Sequence, residues 1–415
     1  MIIKEAEDVS QLRGAAKPTC EKNSPETALL LAIARVELRP ADREVLNEVL
    51  TGVLDWGHLL ALAARHGLEP LLFHHLYAVS GGAVPESVLY ALREECRVIA
   101  GRNMILASKL KGISAHLSAR GVRHLAYKGP VLAEVYYGNC ALRVFRDLDI
   151  LVPAAELEAA RRALEELGFR DKTGMSAAQL AASFRYGFEH SFTADGGLDL
   201  DLHWRVVQRF KAPAIAMDGI WKRAEMVNFL SGEVPTFMTE DLFVALCLHA
   251  GHHGWTQISH ICDLHQILQF HPDFDWEIVL SHFGDSNTRR LVYACLYLLH
   301  ECWGADLPEN LLSRIHSDPH IAKLARRVRT EIWTELSPRL TVSSLRWMLE
   351  RSAGEQVGDR ARLLAGNFFC PSAEDLETFR LPRVLASLYP GLRVLRLAYR
   401  YAFSRNAQGA DAAAD

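Results

Sequence analysis

Asp147 and Asp149 interrupt the otherwise mostly apolar run from Arg143 to Val152, with only Leu148 between them. Successive side chains of a strand point to opposite faces, so the two carboxylates share one face while Leu148 and Ile150 enter the core on the other. Like charges fixed side by side repel, and a divalent cation between them relieves the conflict. A second stretch, Gly197 to Trp204, alternates strictly: Asp199, Asp201 and His203 fall on one face, and Leu198, Leu200, Leu202 and Trp204 on the other. Ahead of both, Lys128-Gly129-Pro130 reads as a strand-to-helix turn, because glycine permits a tight backbone path and proline is favoured at the first helical position. Amides opening such a helix can receive phosphate. An isolated Asp-x-Asp is weak evidence for a metal site. One inside an apolar strand, preceded by a glycine turn and followed by another acid-bearing strand, is the set that phosphoryl transfer needs.

The elements around these residues are mostly helical. From Pro25 to about Arg120 apolar residues recur at helix spacing: Leu29, Leu30, Ile33 and Val36, then Leu59, Leu60, Leu62 and Ala63, the latter helix capped by Asp55 and stopped at Gly67. A long helix follows from Glu86 to Ala119, with a break expected at Gly101 or Gly112. Val122 to Tyr127 reads as a strand, Val131 to Tyr137 as a helix, and Leu157, Ala160, Leu164 and Leu167 line one face of another helix ending at Gly168. Phe169 to Phe188 shows no clear pattern. From Glu240 to about Ala402 the helical pattern returns, interrupted at Pro272, Pro308, Pro338, Pro371, Pro382 and Pro390. The expected fold class is α+β: a loose N-terminus (1–24), an N-terminal helical region (25–120), a small mixed-sheet core (121–235), a C-terminal helical region (236–403) and a loose tail (404–415).

Composition narrows the partners. The 415 residues are 49% hydrophobic and 23% charged with a net charge of −4, which gives no electrostatic reason to expect a long nucleic acid or a membrane surface. Cys20, Cys96, Cys140, Cys247, Cys262, Cys295, Cys302 and Cys370 are scattered without a CxxC pair, and read as reduced thiols of a cytoplasmic protein. No stretch reaches the roughly 18 apolar residues of a membrane span, and the N-terminus lacks a signal-peptide apolar core.

Leu125-Ala-Tyr-Lys-Gly-Pro130, Arg143-Val-Phe-Arg-Asp-Leu-Asp-Ile-Leu-Val152, the helix ending Leu167-Gly-Phe169 and Leu200-Asp-Leu-His-Trp204 together resemble the uncharacterised nucleotidyltransferase family of the polymerase-β-type nucleotidyltransferase superfamily. The likeness extends to Asp55-Trp56 with Arg65-His-Gly-Leu-Glu-Pro-Leu71 on one side and to Glu240-Asp-Leu and Leu248-His-Ala on the other. It implies a polymerase-β-like core that transfers a nucleoside monophosphate from an NTP, with ATP expected, to a hydroxyl-type acceptor, releasing pyrophosphate. It also implies two Mg²⁺ ions held by Asp147, Asp149 and a third acid on the neighbouring strand. Asp199 and Asp201 share a face and either reaches that position; Asp201 is preferred because the likeness is tightest at Asp-Leu-His-Trp. Many superfamily members carry Gly-Ser in the first turn where this chain has Lys128-Gly129, so the Lys128 ammonium would supply the charge for the triphosphate that a hydroxyl otherwise helps to hold.

Arg143 and Arg146 flank the acids, as phosphate contacts or as counter-charges to Asp147 or Asp149. His203 either orients a carboxylate or is structural, and Trp204 is core. His249, His252, His253, His260, Asp263 and His265 form a second constellation. A metal phosphohydrolase site is one reading of it, but Gly251, Gly254 and Trp255 suggest a helix end and turn, so a histidine-rich junction, or an acceptor pocket facing the acids, fits better. Met217, Met226 and Met238 read as packing, and the basic stretch from Pro390 to Phe403 as a terminal helix docked on the bundle, with a membrane surface the lesser alternative. A non-catalytic nucleotide-binding or scaffold protein of the same fold is the reading from a different functional class. The sequence names no acceptor and no oligomeric state.

Overall fold

A computed structural model describes residues 24–79, 82–212, 215–334 and 357–411. The expectations for the first residues, for Pro338 and for the last four positions lie outside them. Helices α1 (Pro25–Ile33), α2 (Pro40–Thr51), α3 (Trp56–His66) and α4 (Glu69–Ala78) open the described chain. Asp55 caps α3 by accepting from the His58 amide at 2.9 Å, and Gly67 ends it in the left-handed conformation (φ 66°), as the sequence predicts. Helix α5 runs from Glu86 to Ala119 without a break. Gly101 and Gly112 stand in open space there, so each lowers helix propensity but displaces nothing from the hydrogen-bond ladder.

The sheet has five strands, β1 (Leu125–Ala126), β2 (Asp147–Leu151), β3 (Arg170–Asp171), β4 (Glu189–Ala194) and β5 (Leu198–His203), in the order β1-β2-β5-β4-β3. Only β2 and β5 pair in parallel; the other neighbours are antiparallel, giving a mixed sheet of the α+β class. Helices α6 (Gly129–Val135) and α7 (Leu157–Glu166) follow β1 and β2. The strand expected from Val122 to Tyr127 contracts to two residues, because β2 pairs only with Leu125 and Ala126 on that edge. The unpatterned stretch from Phe169 to Phe188 holds β3 and helix α8 (Ala177–Tyr186), whose N-terminus is closed by a Ser176–Gln179 capping box. Beyond α9 (Met217–Lys222), the hairpin β6 (Glu225–Phe229) and β7 (Gly232–Thr236) is a further element the periodicity did not reveal, and Met226 on it is 57% exposed where packing was expected.

The C-terminal helices include α10 (Thr239–His252), α11 (Ser259–Phe270), α12 (Trp276–Ser281), α13 (Ser286–Trp303), α14 (Glu309–His316) and α15 (Pro319–Arg327). Their apolar faces merge with those of α1, α3 and α4 into one large core, while a second core of Leu148, Ile150, Leu200, Leu202 and the inner faces of α5 and α7 lies under the sheet. The basic terminal helix, Tyr389–Asp411, docks on the protein: Tyr389 is fully buried, and Arg393 and Arg396 both pair with the buried Asp375. No described helix is long and apolar enough to cross a membrane.

Candidate active site

The parallel pairing of β2 and β5 sets the site. Its register puts Asp147 opposite Asp199 and Asp149 opposite Asp201, and paired residues point to the same face. Leu148, Ile150, Leu200 and Leu202 are fully buried on the other face, so neither strand can slip by one residue without driving carboxylates into the core. Gly129, at the start of α6, is wedged against β2: its φ is +40°, and a Cβ there would stand 3.3 Å from the Asp147 carbonyl oxygen. Glycine serves both needs, the backbone conformation and the close approach. From α5, Asn103 Nδ2 donates to the carbonyls of Cys140 and Arg143, each at 2.7 Å, and so clamps the loop that leads into β2.

Asp149 is nearly buried, and two donors meet on its Oδ1: Lys128 Nζ at 2.8 Å and His203 Nε2 at 2.9 Å. Burial would raise its pKa, but the Lys128 charge and the His203 hydrogen bond outweigh that and hold the carboxyl well below the usual range. His203 is almost fully buried; its Nδ1 stands 3.3 Å from Glu189 Oε2, and the edge of the Tyr127 ring meets it at 5.4 Å. Asp147 has the opposite fate. Burial and the charges of Asp149 and Asp201 push it up to about 6, the mark of a site short of positive charge. Asp201 accepts from Ser191 Oγ at 2.5 Å, whereas Asp199 is drawn outward to Lys172 Nζ at 2.6 Å.

These acids line a cavity of about 390 Å³ whose walls come from different parts of the chain. One wall carries Lys128, Gly129, Asp147, Asp149, Glu189 and Asp201; the other carries His249, His253, Thr256, Gln257 and His260 from α10, α11 and the turn between them. Asp199 and Arg146 do not line it. Arg146 is exposed, and its charge is felt by Glu69 and Arg102. Arg143 does line it, but its guanidinium is hydrogen-bonded to Asp263 at 2.7 and 2.8 Å, so it reaches Asp147 and Asp149 only through its longer-range charge, which acts to lower the Asp147 pKa.

The turn between α10 and α11 is unusual backbone. Trp255 has φ 54° in the left-handed region, which a bulky side chain seldom adopts. Its indole Nε1 donates to Cys295 Sγ at 3.2 Å and its carbonyl accepts from Trp333 Nε1 at 2.8 Å, and these buried bonds hold the turn in place. The rings of His249, His253 and His260 lie 4.4 to 5.9 Å apart across it. Burial and the nearby Lys128 charge push His249 well down, and burial with the neighbouring His253 and Arg143 charges pushes His260 down to about 3, so both are neutral at pH 7. Asp263, the acid of the phosphohydrolase reading, is taken by Arg143 and by the Tyr137 hydroxyl at 2.7 Å. Among the described residues, the three-ligand group at this cavity is Asp149, Asp201 and His203, with donor atoms within 4.8 Å of one another, and the histidine wall supplies no such group.

Sequence reasoning missed Glu189. It lies on β4 directly opposite His203, and the only signal was its place two residues before the alternating Ser191 and Thr193 in a stretch too mixed to read as a strand.

The donor set fits a hard divalent cation. Carboxylate oxygens are the ligands Mg²⁺ takes, the Lys128 ammonium already puts a positive charge on Asp149, and the raised pKa of Asp147 marks negative charge still uncompensated. His203 nitrogen is the poorer magnesium ligand and is better used holding Asp149.

Residues 53–304 match the family model described as "Uncharacterised nucleotidyltransferase". No curated protein matches the chain. Among solved structures, an antigenic nucleotidyltransferase-like protein from Paracoccidioides brasiliensis is similar at 12% identity with a TM-score of 0.30, over 52% of this chain and 92% of that one.

Proposed function

The chain belongs to the uncharacterised nucleotidyltransferase family, and on that premise we propose that it is a Mg²⁺-dependent nucleotidyltransferase moving a nucleoside monophosphate from an NTP, with ATP the expected donor, to a hydroxyl of a second substrate. The observation that supports this reading is the β2–β5 register, with Asp149 opposite Asp201 and Asp147 on the same face beside the Lys128-Gly129 turn. Asp147, Asp149 and Asp201 would hold the metal. Bound there, magnesium would neutralise triphosphate charge and make the acceptor hydroxyl more acidic. The oxygen of that hydroxyl attacks the α-phosphorus, the bond from the α-phosphorus to the β-phosphate oxygen breaks, and pyrophosphate leaves. An Asp201 carboxylate oxygen receives the hydroxyl proton. His203 keeps Asp149 oriented and ionised, and Lys128, once its partner carboxylate is engaged elsewhere, offers its ammonium to the phosphates. The uncharged wall of His249, His253, Thr256, Gln257 and His260 faces the acids and suits a polar, uncharged acceptor.

Incubating the protein with each of the four labelled NTPs, Mg²⁺ and cell extract, and following pyrophosphate release together with the mass of the labelled product, tests the reading. Release that vanishes in Asp149→Asn while the circular dichroism spectrum is unchanged supports it. Full activity in Asp149→Asn rules out the mechanism, and failure of the parent protein to bind any NTP with Mg²⁺ favours a non-catalytic scaffold.

A further inference from the structure

A second cluster of ligating side chains lies on the C-terminal helices, apart from the cavity. His300 and Glu301 sit in the last turns of α13, and His316 ends α14; one ligand atom from each lies within 4.8 Å of the others. His300 Nδ1 donates to the Ala305 carbonyl at 3.1 Å. That bond fixes the tautomer and leaves the Nε2 lone pair for a ligand, which is how metal-bound histidines are oriented in proteins. His316 Nε2 stands 4.0 Å from Glu301 Oε1. Ligands at the ~2.0–2.1 Å bond lengths of tetrahedral zinc are roughly 3.3 Å apart, so small side-chain rotations would close the set. The spacing is too wide for a hydrogen bond and within reach of an ion pair only when His316 is protonated, so the neutral ring keeps its Nε2 available.

We propose that His300, Glu301 and His316 form a binding site for a borderline divalent transition cation such as Zn²⁺, completed by water. Two imidazoles and one carboxylate favour zinc over the magnesium of the acid site, since nitrogen ligands suit the softer ion. The metal clasps the end of α13 to the end of α14. The Gly304 turn and Pro308 between the two helices are the segment it closes.

Metal-free protein titrated with Zn²⁺ alone, against a chromogenic chelator, gives the number of bound equivalents, and thermal unfolding read in parallel gives the shift in Tm. The expected result is one equivalent and a zinc-dependent rise in Tm that are lost in His316→Ala and kept in Asp149→Asn. Because the His316 side chain is 49% exposed, its removal leaves the fold intact, and Glu301→Gln serves as a second probe, expected to weaken binding at least tenfold. The same stoichiometry and the same Tm rise in His316→Ala as in the parent overturn the proposal. Loss of the zinc effect in Asp149→Asn alone assigns it to the acid site and overturns it equally. Neither outcome depends on whether the protein transfers nucleotides.

Discussion

Arg143 and Asp263, 120 residues apart in the chain, meet in a two-bond ion pair, Nε to Oδ1 at 2.7 Å and Nη2 to Oδ2 at 2.8 Å, which fastens α11 to the loop entering β2. The pair joins the two walls of the cavity, since Arg143 precedes the acid strand by four residues and Asp263 lies three residues after His260. Asp263 is buried, so Arg143→Met leaves an ionised carboxylate with the Tyr137 hydroxyl as its remaining donor. The expected cost is about 3–5 kcal/mol of unfolding free energy in urea, largely recovered in Arg143→Met/Asp263→Leu. A single variant within about 1 kcal/mol of the parent would show that the pair does not hold the walls together.

His203 is expected to act through Asp149. In His203→Ala the carboxylate loses the donor that orients it, and the magnesium concentration giving half-maximal activity should rise roughly 10–100-fold, with kcat at saturating magnesium falling less. A loss of kcat with no change in magnesium dependence would contradict that role.

Asp199 and Asp201 share a face and differ in what they meet. Asp199 is held outward by Lys172, and Asp201 lines the cavity. Asp201→Asn should therefore reduce nucleotidyl transfer to background, while Asp199→Asn keeps it within about twofold, as for surface substitutions away from the chemistry. The reverse pattern, read by pyrophosphate release, would move the third acid to Asp199.

Gly129→Ala introduces a side chain at φ +40°, 3.3 Å from the Asp147 carbonyl oxygen. The conformation and the contact together should cost about 1–3 kcal/mol and shift β2 enough to lower activity. Gly101→Ala, in open space on α5, should instead raise stability by up to about 1 kcal/mol, so thermal unfolding of the pair separates backbone strain from glycine entropy.

Acid should destabilise the fold through His66. Its Nε2 donates to the Trp333 carbonyl at 3.0 Å and its Nδ1 accepts from the Ile258 amide at 3.3 Å, an arrangement only the neutral ring can make. Burial, with the Arg65 charge, pushes its pKa down to about 4 from an unfolded value of about 6.5. Between those values the unfolded chain binds the proton that the folded chain refuses. The stability is fully present above pH 6.5 and falls as pH drops from about 6.5 to about 4. Urea unfolding at pH 7.5, 6 and 5 should show a fall in stability, and His66→Gln should make it shallower by one group's share, since the buried His75 and His265 are pushed down as well. An unchanged slope in the variant would assign the acid sensitivity to other groups.

Local pattern made much of this protein readable. The Asp55 cap and the Gly67 stop are one-turn events, settled by residues three or four apart. Alternation about Leu148 and Ile150, and about Leu200 and Leu202, determined that Asp147 and Asp149 lie on one side of their strand and that Asp199 and Asp201 lie on one side of theirs, because side-chain direction in a strand depends only on parity. Gly129 was legible as a turn glycine for the same local reason. What no local pattern contains is how distant segments register. Only the parallel pairing of β2 with β5 put Asp201 beside Asp149 and left Asp199 to Lys172. The antiparallel pairing of β4 with β5 brought Glu189 to His203, and the packing of α11 gave Arg143 to Asp263 rather than to Asp147 or Asp149. Those choices are made by the burial of whole apolar faces against one another, a sum over contacts between segments far apart in sequence. The sequence therefore determined which carboxylates of β2 share a face, and the tertiary structure decided which partners surround them.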